Sequence, residues 1–317
     1  MTPGGPMNAG PKICVVGSSN IDLISRVPRL PRLGETLVGH SFHLGYGGKG
    51  ANQAVMAAKL GARVTMVTRV GRDVFGEGTL QNYREQGIDT TYLRFDDERF
   101  SGVAPIFVDD AAQNVIVIIP GANLGLSPAD VQDAAPALRA ADVVVCQLEV
   151  PVETTLEAFR IAKSADVRTI LNPAPAAPLP DELLRLTDLC VPNEPEAETL
   201  TGLAVRTGEE VEAAARALRL RGPRAVIITL GERGALFADA GMVEYVPPIR
   251  VNAVDPTGAG DAFIGSLAVF WAEGLLVREA IRRANAVAAF SVTRIGTQVS
   301  FPTRSASDAF LAQQGIV

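Results

Sequence analysis

Short apolar segments alternate with longer amphipathic stretches through most of the chain. The apolar segments have the length of buried β-strands, and the stretches between them repeat apolar residues at helical spacing. Apolar strands separated by helices form a parallel sheet with helices on both faces. We therefore expect an α/β protein, a three-layer αβα sandwich around a mostly parallel central sheet. The strand candidates are Ile13–Val16, Val64–Val67, Val143–Cys146, Thr169–Leu171, Leu189–Val191 and Ala225–Thr229, and the helix candidates are Ala51–Leu60, Gly76–Gln86, Pro128–Ala140, Thr154–Ser164 and Val211–Arg221.

Two stretches break this rhythm. Leu37–Leu44 and Val103–Ile119 alternate polar and apolar residues, as half-exposed strands do. The second stretch is interrupted at residues 109–114 by polar residues that are typical of a hairpin turn. Together with Leu23–Val27, these strands predict a small separate β-sheet, which we interpret as a lid over a site.

The domain organisation follows from the absence of any repeat, low-complexity tract or clear linker in the sequence. We expect a single domain over residues 12–317, with lid segments near residues 22–44 and 100–119. Residues 1–11 lack the charged and apolar regions of a secretory signal, and we expect them to form a flexible leader.

Composition and charge limit the function classes. Hydrophobic residues make up 47% of the chain, and the net charge is −6 without a block of five like charges, so we expect no nucleic-acid partner. The apolar runs are shorter than the roughly 20 residues that span a bilayer, so we expect no membrane partner. Cys14, Cys146 and Cys190 lie in apolar runs, which is typical of buried thiols in a reducing compartment and favours the cytoplasm.

Polar residues follow several of the predicted strands. In an open parallel sheet, ligands bind outside the carboxyl ends of the strands. Loops are polar in any protein, but agreement among five strands indicates a site at this edge. The residues concerned are Asn20, Asp22, Gln147, Glu149, Asn172, Asn193, Glu196 and Thr229.

A glycine-rich segment, Gly45–Ala54, leads into a predicted helix. It contains the spacing G-x-G-x-x-G, which by itself is a weak sign of a nicotinamide dinucleotide site, because that motif belongs directly after the first strand. It is also not a phosphate-binding Walker A loop, since Gly50 rather than Ser or Thr follows Lys49. Two interpretations stay open: a tight turn with a solvated lysine, or a lysine that clamps hydroxyl or phosphate groups.

The segment Asp255–Phe263 begins an apolar helix with small residues. Gly258, Ala259 and Gly260 leave the amides of the helix terminus unshielded, and such a terminus binds anions. Asp261 has two interpretations. It either offsets the helix dipole in the first turn, or accepts a proton from a hydroxyl that attacks a phosphoryl group held by these amides.

The segment Asn193–Glu196 also has two interpretations. Its spacing is that of a helix capping box. The alternative is a contact with a nucleotide or with metal-bound water.

Taken together, these segments resemble the ribokinase-like sugar kinases of the pfkB carbohydrate kinase family. The resemblance extends from Lys12 to Leu311 and implies an αβα fold with a β lid. The segments that carry it, in order, are Gly17–Asp22, Gly45–Gln53, Asn172–Ala176, Asn193–Glu196, Thr229–Gly234 and Asp255–Asp261.

The resemblance implies roles for individual residues. Asp261 corresponds to the catalytic base, and Gly258, Ala259 and Gly260 to the anion hole. The implied sugar contacts are Asn20, Asp22, Gly47, Gly48, Lys49, Asn52, Glu149 and Asp261. The implied ATP contacts are Asn193, Thr229, Gly231, Gly234, Gly260 and Asn285. Glu196 is implied to place hydrated Mg²⁺, and a monovalent cation such as K⁺ is implied at Asp255, Thr257, Ser291, Arg294, Gly296 and Ser300.

We therefore expect an ATP-dependent kinase that phosphorylates the primary hydroxyl of a small sugar, with D-ribose giving D-ribose 5-phosphate, and we expect a homodimer formed through the lid. Alternatives within the family are a fructokinase, a deoxyribokinase or a nucleoside kinase of the adenosine type. Alternatives from other classes are a nicotinamide-dependent oxidoreductase, suggested by Gly45–Gly50, and a non-catalytic sugar-binding protein.

Overall fold

The computed structural model describes residues 10–111 and 113–316. The leader expected at residues 1–11 therefore lies almost wholly outside the described residues. The β-strands are β1 (Lys12–Val16), β2 (Asn20–Arg26), β3 (Ser41–Gly47), β4 (Arg63–Gly71), β5 (Asp89–Asp96), β6 (Gly102–Val108), β7 (Asn114–Ile116), β8 (Val143–Cys146), β9 (Arg168–Leu171), β10 (Leu189–Cys190), β11 (Ala225–Thr229), β12 (Ala235–Ala238) and β13 (Val243–Val246).

Among the described residues, eight α-helices lie in the connections between these strands and three follow β13. Short 3₁₀ turns lie at Gly121–Gly125 and Gly231–Arg233. The α-helices are α1 (Lys49–Lys59), α2 (Val74–Glu85), α3 (Pro128–Asp133), α4 (Ala135–Ala140), α5 (Val152–Lys163), α6 (Asp181–Arg185), α7 (Glu194–Thr201), α8 (Gly208–Leu220), α9 (Ala259–Ala272), α10 (Val277–Ser291) and α11 (Arg304–Gln313).

The central sheet has nine strands in the order β13-β12-β11-β10-β9-β8-β1-β4-β5, and all are parallel to β1 except β12. Side chains of a strand alternate between faces, so each face builds its own core. Ile13 and Val15 pack into the cluster that contains α9 and α10, whereas Cys14 and Val16 pack into the cluster with α5 and α8. The expected three-layer α/β architecture is therefore confirmed.

The second sheet, called the small sheet below, has the order β3-β2-β6-β7. Its outer pairs are antiparallel, and β2 and β6 are parallel. The predicted small sheet is confirmed, but the predicted strand Leu37–Leu44 is displaced. It runs over Ser41–Gly47 because Gly45 and Gly47 hide the alternation of polar and apolar residues at its end.

Other differences have local causes. The single helix predicted at Pro128–Ala140 is two helices, α3 and α4, with Pro136 in the first turn of α4. Proline has no N–H to continue the preceding helix. The strands β12 and β13, four residues each, were not predicted. Among the described residues, no helix is long and apolar enough to cross a membrane.

Candidate active site

The N-terminus of α9 lies at the centre of the site. Gly258 is its N-cap in the left-handed region, at φ 78°, and a Cβ there would lie 2.4 Å from the Cγ2 of Thr297. Only glycine fits such a position without strain. The amide of Ala259, which we expected in the anion hole, instead donates to the carbonyl of Pro256 at 3.2 Å. Within the described residues the amides of Gly260 and Asp261 have no acceptor, so these two are available to an anion.

Asp261 is in the first turn of α9 and is 8% exposed. Its Oδ2 accepts a hydrogen bond from the Nδ2 of Asn52 at 2.9 Å, and its Oδ1 accepts one from the Nε2 of Gln53 at 3.0 Å. Burial raises the pKa of Asp261, while Lys49 and the two amides act in the opposite direction. The carboxylate thus faces a polar cluster inside the protein. A residue that only offsets the helix dipole would instead face open solvent.

Two more carboxylates, those of Asp22 and Glu149, act on Asp261 or are acted on by it. Asp22 lies on β2, and its carboxylate has no hydrogen-bond partner among the described residues. Its burial, followed by repulsion from Glu149 and Asp261, raises the pKa of Asp22 to about 7. Glu149 follows β8, and its Oε2 accepts hydrogen bonds from the backbone amide of Lys49 at 3.0 Å and from the hydroxyl of Ser18.

Lys49 begins α1 and lies among these carboxylates. Burial alone lowers the pKa of its ammonium group, but attraction by Asp261, Glu149 and Glu196 outweighs burial, so the pKa is raised overall. The ammonium group therefore stays charged and balances part of the negative charge of the cluster. Gly47 and Gly48 come directly before it, at the end of β3 and the N-cap of α1.

Asn20 is oriented by a residue that sequence reasoning did not assign. Its Oδ1 accepts a hydrogen bond from the Nδ2 of Asn123 at 2.7 Å, and the Oδ1 of Asn123 accepts one from the amide of Ser19 at 2.9 Å. Because Asn123 occupies the oxygen of Asn20, the NH₂ group of Asn20 is the part free to donate to a ligand.

Two cavities meet beside the N-terminus of α9. The smaller one has a volume of about 200 Å³, and the larger one about 570 Å³. Gly260 and Thr229 line both of them, so the free amide of Gly260 lies at the junction. The smaller cavity is lined by polar groups that include Lys49, Asn172, Asn193, Glu196 and Asp261. The larger is lined by Gly231, Gly234 and Asn285 together with apolar side chains, among them Ile249, Phe263 and Val292.

The segment Asn193–Glu196 forms the capping box of α7. The Oδ1 of Asn193 accepts from the amide of Glu196 at 2.9 Å, and the Oε2 of Glu196 accepts from the amide of Asn193 at 2.8 Å. Both side chains also line the smaller cavity. Burial raises the pKa of Glu196 despite this hydrogen bond. The two interpretations of this segment are therefore compatible.

The residues implied in a monovalent cation site lie outside the two cavities, in neighbouring loops. The two oxygens of Asp255 accept hydrogen bonds from the amides of Thr257, at 3.0 Å, and Gly296, at 2.9 Å. This carboxylate therefore ties the loop before α9 to the loop after α10. The hydroxyls of Ser291 and Ser300 donate to nearby carbonyls, and the guanidinium of Arg294 stacks over the Phe290 ring at 4.6 Å.

The donor chemistry of these loops suits a hard, singly charged ion. In residues 10–111 and 113–316 no three His, Cys, Asp or Glu side chains come together as metal ligands. The implied set instead offers one carboxylate, hydroxyls and backbone carbonyls, which are oxygen donors of low total charge. The residues present therefore fit K⁺ better than a divalent ion.

The glycine-rich segment Gly45–Gly50 spans the end of β3 and the start of α1, not the turn after β1. This placement removes the basis for the nicotinamide-dependent alternative. Several buried amides around Asp261, among them Gln53 and Gln298, were not predicted individually from the sequence. Gln298 donates to the Oδ1 of Asn52 at 3.1 Å from a loop that is distant in sequence.

Comparisons with known proteins identify the family of the chain. The model of the pfkB family of carbohydrate kinases matches residues 11–304. A deoxyribokinase of Salmonella typhi is 45% identical over 301 residues, which cover 95% of this chain and 98% of that protein. A ribokinase of Mus musculus is 42% identical over 295 residues, 92% of this chain and 91% of that one. A structure of Arabidopsis thaliana ribokinase complexed with ribose and ATP aligns with a TM-score of 0.89 at 32% identity, over 95% of this chain and 99% of that one. The predicted family resemblance is thereby confirmed, and the chain belongs to the pfkB family of carbohydrate kinases.

Proposed function

We propose that this carbohydrate kinase transfers the γ-phosphoryl group of ATP to the 5-hydroxyl of D-ribose, giving D-ribose 5-phosphate and ADP. The observation that carries the proposal is the position of the Asp261 carboxylate. It lines the smaller cavity next to the free amide of Gly260, which also borders the larger cavity. A base and an anion site are therefore adjacent, as phosphoryl transfer to an alcohol requires.

Asp261 acts as the general base in this proposal. Its ionised carboxylate accepts the proton of the sugar hydroxyl as the hydroxyl oxygen attacks the γ-phosphorus in line. The amides of Gly260 and Asp261 stabilise the charge that develops on the transferred group. Assistance by such a base accelerates a reaction by about 10²–10⁴-fold.

The sugar is held on the side of the small sheet. Asp22 accepts hydrogen bonds from sugar hydroxyls, and the NH₂ group of Asn20 donates to them. Lys49, Asn52 and Glu149 complete this set of contacts, with the backbone of Gly47 and Gly48. The small sheet closes over the sugar as a lid of the single domain, and closure excludes water that would otherwise accept the phosphoryl group.

ATP occupies the larger cavity, with its phosphates toward Gly260. Thr229, Gly231, Gly234 and Asn285 line the cavity, and Asn193 borders the phosphate end. Glu196 holds hydrated Mg²⁺, whose charge offsets that of the β- and γ-phosphates. K⁺ binds at the loops of Asp255 and Gly296. Because Asp255 ties these loops together, the ion supports the loop that begins α9.

A homodimer through the small sheet completes the proposal. Phe42 and Val115 belong to one row across the sheet, on the face opposite Asp22, and they are 59% and 42% exposed. An exposed apolar sheet face favours pairing with a second copy. Light scattering should show a dimer for the wild type and a monomer for Phe42→Glu. A wild-type monomer at micromolar concentration would refute this interface.

We also place the enzyme in the cytoplasm. Its cysteines Cys14, Cys146 and Cys190 are free and buried, as is usual where thiols stay reduced. The use of ATP supports the same location.

The experiment that tests the reaction is an ADP-release assay over D-ribose, 2-deoxy-D-ribose, D-fructose and adenosine, with and without K⁺. We expect the highest kcat/KM with D-ribose and a product whose phosphorus resonance is that of a primary phosphate ester. The 45% identical deoxyribokinase makes 2-deoxy-D-ribose the second candidate. Higher kcat/KM with that sugar would transfer the proposal to it, and the absence of turnover with every acceptor would reject a kinase in favour of a sugar-binding protein.

A further inference from the structure

A chain of buried side-chain amides ends at the base, and the proposed function leaves it unexplained. Gln53 follows Asn52 on α1 and is 1% exposed. Its Nε2 donates both to the Oδ1 of Asp261 at 3.0 Å and to the Oδ1 of Asn172 at 3.1 Å. Its Oε1 accepts from the Nε2 of Gln147 at 2.6 Å. Every polar atom of the Gln53 side chain is thus engaged.

The packing of α1 against α9 brings Gln53 this close. A Cβ at Gly265 would lie 2.6 Å from the backbone carbonyl of Gln53, so only glycine permits this approach of the two helices. The contact leaves Gln53 little freedom to change its distance from Asp261. Its position is therefore set by backbone packing, and only the orientation of its amide remains to be determined.

A backbone carbonyl fixes that orientation. The carbonyl of Val191 is an acceptor only, so Asn172 must turn its NH₂ group toward it, and the Nδ2 of Asn172 donates there at 3.0 Å. The oxygen of Asn172 then faces Gln53 and requires a donor. Gln53 therefore presents its NH₂ group to Asn172 and Asp261, and its oxygen to Gln147. A flipped amide would place an oxygen against the carboxylate and repel it.

We propose that Gln53 is a positioning residue for the base, held by Gln147 and Asn172 so that it always presents a hydrogen-bond donor to Asp261. The inference rests on the proposed function, because it assigns Asp261 the role of base. A donor stabilises the ionised form of a carboxylate and fixes its plane. Asn52 binds the other oxygen and is also an expected sugar contact, so Gln53 is the partner that remains when Asn52 turns toward the sugar.

The test replaces Gln53 with methionine, which has a similar shape and no donor. We expect kcat to fall about ten- to a hundredfold, the usual effect of losing a hydrogen bond to a charged group. The KM for ATP should stay unchanged, and the acid limb of the pH profile of kcat should move to higher pH. Gln147→Met, which frees the Gln53 amide without touching Asp261, should move the limb in the same direction by a smaller amount.

The matched control is Thr155→Val. The Thr155 hydroxyl is buried and donates to the backbone carbonyl of Gln147 at 3.1 Å, so its loss removes a neighbouring hydrogen bond but leaves the amide chain intact. This variant should keep the wild-type pH profile. If Gln53→Met and Gln147→Met also keep that profile, or if Thr155→Val moves it equally, the side chains have only a packing role and the inference fails.

A second measurement separates this inference from the proposed function. The carboxyl ¹³C resonance of Asp261, assigned by its loss in Asp261→Asn, can be titrated without any substrate. Its pKa should rise in Gln53→Met whether or not the enzyme turns over. An unchanged titration would overturn the role of Gln53 even in an active kinase, whereas a raised pKa without turnover in the wild type would reject the kinase proposal alone.

Discussion

Asp22 gives the sharpest test of the sugar site, because it is a partly buried carboxylate with no hydrogen-bond partner among the described residues. The change is Asp22→Asn, which keeps the shape and removes the charge. The pKa of Asp22 is raised from 3.8 to about 7 by burial and by repulsion from Glu149 and Asp261. This difference means that ionising Asp22 costs the folded, unliganded protein up to about 4 kcal/mol relative to the unfolded chain.

The sign of the effect on stability follows from proton binding. Between about pH 4 and pH 7 the folded protein binds more protons at Asp22 than the unfolded chain does, so this group lowers stability as the pH rises. Asparagine does not titrate. We therefore expect Asp22→Asn to resemble the wild type near pH 4 and to be more stable at pH 8, by up to about 4 kcal/mol. Urea unfolding, followed by the fluorescence of Trp271, measures the difference.

Sugar binding should reverse this advantage. Ribose hydroxyls donate to the ionised carboxylate, so binding requires Asp22 to lose its proton. Because the pKa of Asp22 is raised to about 7, this carboxyl group is mostly protonated at pH 6 and mostly ionised at pH 8, so we expect binding to release more protons at pH 6 than at pH 8. Titration calorimetry in buffers of different ionisation enthalpy measures this release. In Asp22→Asn, binding should be weaker and the release should vanish.

The control for both measurements is Glu198→Gln, which removes an exposed carboxylate on α7. It should change neither the pH dependence of stability nor the proton release. A constant stability difference between Asp22→Asn and the wild type at both pH values would refute the reasoning. So would ribose binding to the wild type at pH 6 without proton release.

Three further predictions concern single residues. Asp261→Asn should bind ribose and ATP in calorimetry but lose about 10²–10⁴-fold in kcat, and a near-wild-type kcat would reject its role as base. Asn123→Leu frees the amide of Asn20, so the KM for ribose should rise while the KM for ATP stays constant; equal changes in both would indicate a general loss of structure. Gly258→Ala places a Cβ in the left-handed region and against Thr297, so the Tm should fall by an amount that reflects a cost of at least about 1–2 kcal/mol. An unchanged Tm would contradict the geometry of this turn.

The sequence predicted the parts of the fold that depend on short-range pattern. Buried parallel strands such as β8 and β11 are continuous apolar runs with polar ends, and their boundaries were predicted to the residue. The break between α3 and α4, which Pro136 marks, was missed, and so were the short antiparallel strands β12 and β13. The glycines at the end of β3 concealed that strand, since they contribute no side chain to the alternation.

In the candidate site, too, contacts between residues close in sequence were predicted, and contacts between distant residues were not. Asp261 and Gly258 lie in one short segment, so the sequence alone predicted that both are at the N-terminus of the same helix. Gln53, Gln147 and Asn172 come from three segments more than 20 residues apart, and only the fold shows that their amides are in contact. Their orientations are set by a backbone carbonyl, which no sequence pattern records. The sequence indicated Gln147 and Asn172 only as polar residues at the carboxyl edge of the sheet, and nothing in it marked their contacts with Gln53.

The arrangement of charges explains why the site suits a polyhydroxylated substrate. Asp261, Glu149 and Glu196 act on the ammonium of Lys49, and Asp22 lies near two of these carboxylates, where burial and then repulsion raise its pKa, so the site holds more hydrogen-bond acceptors than donors. An apolar ligand would remove water from these acceptors without supplying hydrogen-bond donors in its place. A sugar supplies several hydroxyl donors at fixed spacing, which satisfy the carboxylates and leave one hydroxyl for the base. In the proposed function, specificity for a sugar and activation of its hydroxyl therefore arise from the same excess of acceptors.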